Sequence, residues 1–253
     1  MKGKKTQFIL VSVILILISV TLIQMVTIST LKKELMESNN SQLTVSSGKI
    51  FGIDVSHHQG DINWNKVKKW KDKSIQFVYI KATEGATFVD KTYEKNFKGA
   101  KEQKILTGSY HYFRTTSSVK DQFKNFIQTI SKEDQDLIPM IDVEEKKNWN
   151  NKEFHKNFKE FLGLIENHFG QKPMIYTVNS FYNINLSGKY NDYHFLIARY
   201  GKNSPNMRDK SNWTIWQFSE TGKVDGIPKL VDIDVINSKF SLSDINLSDI
   251  KMK

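Results

Sequence analysis

The 253-residue chain contains no cysteine. That excludes a disulfide framework, a cysteine-ligated zinc site and a lipid anchor carried on cysteine. No G-x-G-x-x-G or P-loop run marks a nucleotide crevice, and no internal repeat is present. No nucleic-acid-binding motif accompanies the lysines, which are scattered along the chain. Acidic residues are in the minority: 27 Asp and Glu against 37 Lys and Arg leave a formal net charge of +10. Such an excess favours anionic partners, here anionic lipid or an acidic wall polymer in place of nucleic acid.

One long apolar run is present. Phe8 to Ile28 carries no charge, and Gln24 is its only strongly polar side chain. As a helix it is long enough to span a bilayer. Lys2, Lys4 and Lys5 precede it, which favours an N-in, C-out orientation. The expectation is a single-pass cell-membrane anchor with an extracytoplasmic catalytic domain; a signal segment removed on secretion is the alternative. Residues 1–7 then form a short basic cytoplasmic tail and residues 29–49 a polar stalk.

From Ile50 the pattern becomes regular. Strand-like runs occur at Ile50–Ser56, Ile75–Lys81, Ile105–Phe113, Ile138–Glu144, Pro173–Val178, His194–Ala198, Thr214–Ser219 and Val231–Ile236. Between the early ones lie helical stripes: Trp64, Val67 and Trp70, with Asp61 or Asn63 as N-cap; Tyr93, Phe97 and Ala100; Phe123, Phe126, Ile127 and Ile130. The clearest stripe runs from Phe154 to Phe169 and stops at Gly170. Alternating strand and helix implies a parallel sheet. Eight strands that lose their helices toward the C-terminus predict a closed α/β barrel over residues 50–240, followed by a tail over 241–253. An open doubly wound sheet is the alternative.

The run Leu137–Glu145, LIPMIDVEE, places two acids at the end of an apolar strand. Strand alternation puts Asp142 and Glu144 on one face, about 6–7 Å apart. Asp54, in GIDVSHHQG, and Asp232 and Asp234, in VDIDVI, occupy the matching phase of the first and last strands, and all are expected near strand C-terminal ends, where such barrels hold their active sites. Clustered buried carboxyls raise one another's pKa, so that one stays protonated as a general acid while its neighbour ionises. A metal site joining His57, His58 or His111 to Asp54 or Asp142 is a competing use of the same acids. Lys81 and Glu84, in YIKATEG, read as an ion pair that holds the acids or meets substrate. Tyr79, Tyr110, Tyr112, Tyr176, Tyr200 and Trp216 are candidate sugar-stacking rings near strand ends.

These motifs resemble those of glycoside hydrolase family 25, the N-acetylmuramidase type of lysozyme. The matching runs, in the family's order, are FGIDVSHHQGDINW, FVYIKATEG, GSYHYF, PMIDVE, PMIYT, IARY, IWQFSETGKVDGI and VDIDV. The resemblance implies a TIM-like barrel of the (β/α)5(β)3 type and cleavage of the β-1,4 bond between N-acetylmuramic acid and N-acetylglucosamine in peptidoglycan. It implies Glu144 as general acid and Asp142 as the residue that handles the substrate's 2-acetamido group, with Asp54 and Asp232 completing the catalytic cluster. Lys81, Tyr110, Tyr112, Tyr176 and Trp216 are expected to contact substrate. No cofactor or metal is implied, the partners are peptidoglycan glycan strands and the membrane, and a monomer is expected. Two positions depart from the family's usual residues: Asp234 stands where Asn is common, and Leu196 where Trp is common. A metal-dependent polysaccharide deacetylase and a catalytically silent wall-binding module are the alternative functions.

Overall fold

The computed structural model describes residues 48–147 and 149–247, together with Thr21, Gln24, Met25, residues 27–30 and Lys32. The chain divides into two compact units, residues 1–47 and 48–253, and the sheet with its helices belongs to the second. The expected span Phe8–Ile28 and the stalk after it lie almost wholly outside the described residues. Among the described residues no helix is long and apolar enough to cross a membrane.

Ten strands form one sheet: β1 (Phe51–Val55), β2 (Lys69–Trp70), β3 (Lys73–Glu84), β4 (Phe88–Val89), β5 (Leu106–Tyr112), β6 (Met140–Asp142), β7 (Met174–Val178), β8 (Phe195–Ala198), β9 (Ile215–Gly222) and β10 (Val231–Ile236). The strands β1, β3, β5, β6, β7, β8 and β9 pair parallel in that order. β10 then pairs antiparallel with both β9 and β1 and closes an eight-stranded barrel. The two short strands, β2 and β4, hang on β3 as hairpin partners.

Helices cover one arc of the barrel: α1 (Tyr93–Glu102), α2 (Val119–Thr129) and α3 (Asn151–Phe169). The sequence explains α3 well. Asn150 accepts from the Glu153 N–H while Glu153 accepts from the Asn150 N–H, a reciprocal cap. Phe154, Phe158, Phe161, Leu162, Ile165 and Phe169 form its buried stripe. Each such side chain contributes roughly 1.5–3 kcal/mol when fully buried. The helix stops at Gly170, whose φ of 78° is left-handed. Its stripe meets the outer face of β5, with the Phe161 ring 5.2 Å from His111 and 5.0 Å from Phe113.

Side chains alternate across the barrel wall, so each strand's other face points inward. A Cβ on Gly52 would lie 2.3 Å from the Phe77 ring, and one on Gly108 2.5 Å from Tyr79. Glycine at these inward positions admits the two large rings that fill the barrel floor.

Two expectations about the elements are corrected. No α-helix forms at Trp64–Trp70; a 3₁₀ turn, Trp64–Lys66, is followed by β2. The three-residue spacing of Trp64 and Val67 matches the 3₁₀ period, so one short turn buries both. The C-terminal segment is not a free tail as far as residue 247. The 3₁₀ turn Leu242–Ile245 returns to the barrel, where Ile245 O accepts from Ile138 N at 2.9 Å and Leu247 N donates to Asp136 O at 2.8 Å.

Candidate active site

Three strands build an inward acid cluster. β6 delivers Asp142, and Glu144 follows just past its end. β1 delivers Asp54, and β10 delivers Asp232 and Asp234. Asp232 reaches the rim differently from the expectation. β10 runs against its neighbours, so its beginning, not its end, lies at the mouth, and the register sets Asp54 opposite Asp232 and Gly52 opposite Asp234. Asp54, Asp142, Glu144 and Asp232 all line a cavity of about 170 Å³ with Tyr110 and Tyr176. Asp234 lies beneath it and is fully buried. A larger recess of about 500 Å³ beside α1 holds the Lys95–Asp61 ion pair but none of these acids.

The cluster resists ionisation. Burial, then the charge of Glu144, holds the Asp142 carboxyl well above the usual carboxylate range, and Lys81 offsets part of this. Burial also raises Glu144. The two carboxyls face each other, and Asp142 Oδ1 has no donor among the described residues. Facing carboxyls form a hydrogen bond only when one carries a proton, and burial favours that state. Asp54 is raised by burial, then by Asp232 and Asp234. Asp232 is pushed up to about 6 by burial, then by Glu220. Burial keeps the phenols of Tyr110 and Tyr176 neutral.

Gln217 escaped the sequence reading. Its Nε2 donates to Asp54 Oδ2 at 2.7 Å, and its Oε1 accepts from Tyr176 at 3.1 Å and Tyr200 at 3.0 Å. The usable signal was its phase: β9 turns Gln217 inward and its neighbours outward, which makes it the buried polar residue of an otherwise apolar run. The same phase corrects the placement of Trp216. Its ring points outward, its Nε1 donates to Arg199 O at 2.7 Å, and it stands off the acid cavity.

Lys81 and Tyr112 sit beside the cavity, not among its lining residues. Lys81 Nζ donates to Glu84 Oε2 at 2.6 Å, Arg114 Nη2 to Glu84 Oε1 at 2.6 Å, and Arg114 Nη1 to Glu145 Oε1 at 2.9 Å. Burial opposes ionisation of Glu84, but these two cations outweigh it. Tyr112 lies against both of them, its ring centre 5.2 Å from Lys81 Nζ and 4.4 Å from Arg114 Cζ.

The three histidines diverge. His57 and His58 are not extended but share a 3₁₀ turn, with ring centres 4.0 Å apart. His57 Nδ1 bonds Asp90 Oδ2 at 2.8 Å, whereas His58 lines the cavity. His111 points outward to Thr83 and Gln122, and burial pushes it down to about 3. No group of three or more His, Cys, Asp or Glu suited to a metal converges among the described residues.

The sequence profile of glycosyl hydrolases family 25 matches residues 53–227. The chain is 40% identical over 190 residues to the uncharacterised protein YegX of Escherichia coli, a match spanning 74% of this chain and 70% of that protein. It is 34% identical over 183 residues to the autolytic lysozyme of Clostridium acetobutylicum, spanning 72% of this chain and 54% of that protein. A solved family 25 glycosyl hydrolase from Bacillus anthracis superposes with a TM-score of 0.67 at 32% identity, covering 75% of this chain and 90% of that one.

Proposed function

The chain belongs to glycosyl hydrolases family 25 and is a glycoside hydrolase; from that premise we propose that it cleaves the β-1,4 bond between N-acetylmuramic acid and N-acetylglucosamine in peptidoglycan. Two facing carboxyls at the barrel mouth, Asp142 and Glu144, carry this reading. Glu144 is the less enclosed of the two and is the general acid. In the free enzyme the pair shares its proton. A substrate acetamido N–H that reaches Asp142 supplies the donor its carboxylate lacks, and the proton is left on Glu144. Glu144 then protonates the glycosidic oxygen as the C1–O bond breaks and the substrate's acetamido oxygen bonds C1; water then attacks C1, displaces that oxygen and returns a proton to Glu144. Asp142 holds the 2-acetamido group so that its carbonyl oxygen faces C1, a substrate-assisted departure from the usual two-carboxylate scheme. Asp54 and Asp232 supply negative field around the positive charge that develops at C1. Tyr110 and Tyr176 shape the sugar site from the cavity wall.

The proposal includes export of the barrel, with the apolar run Phe8–Ile28 tethering it to the membrane or removed as a signal. The excess positive charge suits an anionic wall. The enzyme acts as a monomer on glycan strands.

Mass spectrometry of peptidoglycan digested with the purified protein tests the reading. Fragments ending in reducing N-acetylmuramic acid are expected. Fragments ending in reducing N-acetylglucosamine, or free acetate without new reducing ends, would overturn it.

A further inference from the structure

We propose that Asp234 is a positioning residue: as a neutral carboxylic acid beneath the cavity, it donates a hydrogen bond to Asp54 and so fixes the carboxylate that Asp54 presents to substrate. The inference rests on the muramidase reading for what Asp54 does, but not for the state of Asp234.

The geometry points this way. Asp234 is entirely enclosed, and neither of its oxygens meets a donor among the described residues. An ionised carboxylate in that position would be a bare charge in the barrel interior, which costs far more than a neutral acid. The titratable groups that face it are Asp54 on β1, Asp232 on its own strand and the phenol of Tyr79 on β3. None of them is a cation. Tyr79 gives its own proton to Ile138 O at 3.2 Å, and the Gln217 amide is committed to Asp54. Across the β1–β10 ladder Gly52 pairs with Asp234 and Asp54 with Asp232, so Asp54 and Asp234 are diagonal neighbours on the inward face, and two carboxyls there bond only through a proton.

That proton belongs on Asp234. Asp54 already accepts from Gln217 and borders the cavity, so its negative charge has a donor and access to water. Asp234 has neither. Burial, then the charge of Asp232, raises the Asp234 carboxyl well above the usual aspartate range, and the Asp54 side chain offsets only part of this. Asp54 is thus gripped from below by Asp234 and from the side by Gln217, and its carboxylate is both oriented and stabilised.

Two variants separate this role from simple packing. Asp234→Asn keeps a permanent N–H donor in the same shape, whereas Asp234→Leu keeps the volume and removes the donor. Activity of Asp234→Asn is expected within a few-fold of the parent, with the acid limb of its pH–kcat/KM profile unmoved. Asp234→Leu is expected to lose roughly 10–100-fold in turnover, as misplaced catalytic groups do, and to shift its acid limb to higher pH. A parent-like acid limb in Asp234→Leu, or the same shift in both variants, would overturn the proposal.

Infrared difference spectra at neutral pH supply a readout independent of turnover. The parent should show the C=O stretch of a protonated carboxyl that Asp234→Asn lacks. Identical spectra would refute a neutral Asp234. Absence of muropeptide release at every pH in the parent would instead refute the muramidase reading, with the infrared result still deciding the state of Asp234.

Discussion

The side-chain amide of Gln217 donates to Asp54 Oδ2 at 2.7 Å while its oxygen accepts from Tyr176 and Tyr200. One amide thus holds a buried acid and two phenols from three other strands or loops. Gln217→Leu keeps the bulk and removes all three bonds. Unpaired buried polar groups cost about 1–3 kcal/mol each. The buried Tyr176 and Asp54 are the exposed points of failure, since Tyr200 is half-open to water. A drop in thermal midpoint accompanied by reduced turnover is expected. A variant with parent-like melting and turnover would show that the amide orients nothing.

Glu144→Gln removes the proposed proton donor and preserves its shape. General acid catalysis typically contributes 10²–10⁴-fold. Reducing-end release from purified peptidoglycan should fall by about that factor while the melting curve stays cooperative. Near-normal turnover would assign the proton to another group.

Asp232 ties activity to stability. Its pKa is pushed up to about 6 by burial first and Glu220 second, against about 3.9 in an unfolded chain. A raised aspartate favours the fold while protonated. Its contribution is fully present below pH ~3.9 and is lost as pH rises through about 6. At pH 7 the ionised group therefore costs the fold on the order of 2–3 kcal/mol. Asp232→Asn should raise the thermal midpoint at pH 7, change it little at pH 4, and lower turnover. Equal gains at both pH values would deny the linkage.

The parts of this architecture visible in the sequence are those set by local periodicity. The stripe of α3 and its Gly170 stop were legible, and strand alternation put Asp54, Asp142 and Asp232 in one phase. Chain direction was not. Nothing local in VDIDVI states that β10 runs backward, because antiparallel pairing depends on how residues 223–230 turn. Gln217 was hidden for a related reason. Trp216 and Phe218 flank it, and large rings draw attention to the face that points away from the site. The segment Leu242–Leu247 packs through contacts with Asp136 and Ile138, distant in sequence, which a polar composition does not reveal.

Lys81→Met tests the ion-pair network behind Asp142. Lys81 Nζ is buried, donates to Glu84 Oε2 and lowers the pKa of Asp142. Methionine keeps most of the stem volume and removes the charge. Asp142 then holds its proton to higher pH, so the acid limb of kcat/KM should move upward. Arg114 still pairs with Glu84, which limits the loss of stability to about 1–3 kcal/mol, the range for an unmade buried hydrogen bond. An unmoved acid limb would mean that Lys81 does not reach the acid pair electrostatically.

Trp216 separates outer-wall packing from substrate stacking. Its ring centre lies 6.2 Å from that of Trp213 and 5.5 Å from that of Phe218, and Phe218 continues to Trp70 at 5.4 Å. These rings cover part of the barrel wall near β9, outside the acid cavity. Trp216→Leu removes the indole N–H that bonds Arg199 O, and with it part of the ring contacts. Aromatic pairs contribute about 0.5–1.5 kcal/mol beyond area burial, so the thermal midpoint should fall measurably. KM for glycan fragments should stay within about twofold, because no cavity-lining side chain is altered. Tyr176→Phe makes the matched comparison: it keeps the ring in the cavity wall but removes the hydroxyl bonded to Gln217. A larger KM effect from Trp216→Leu than from Tyr176→Phe would return Trp216 to the substrate site and contradict the outward phase of β9.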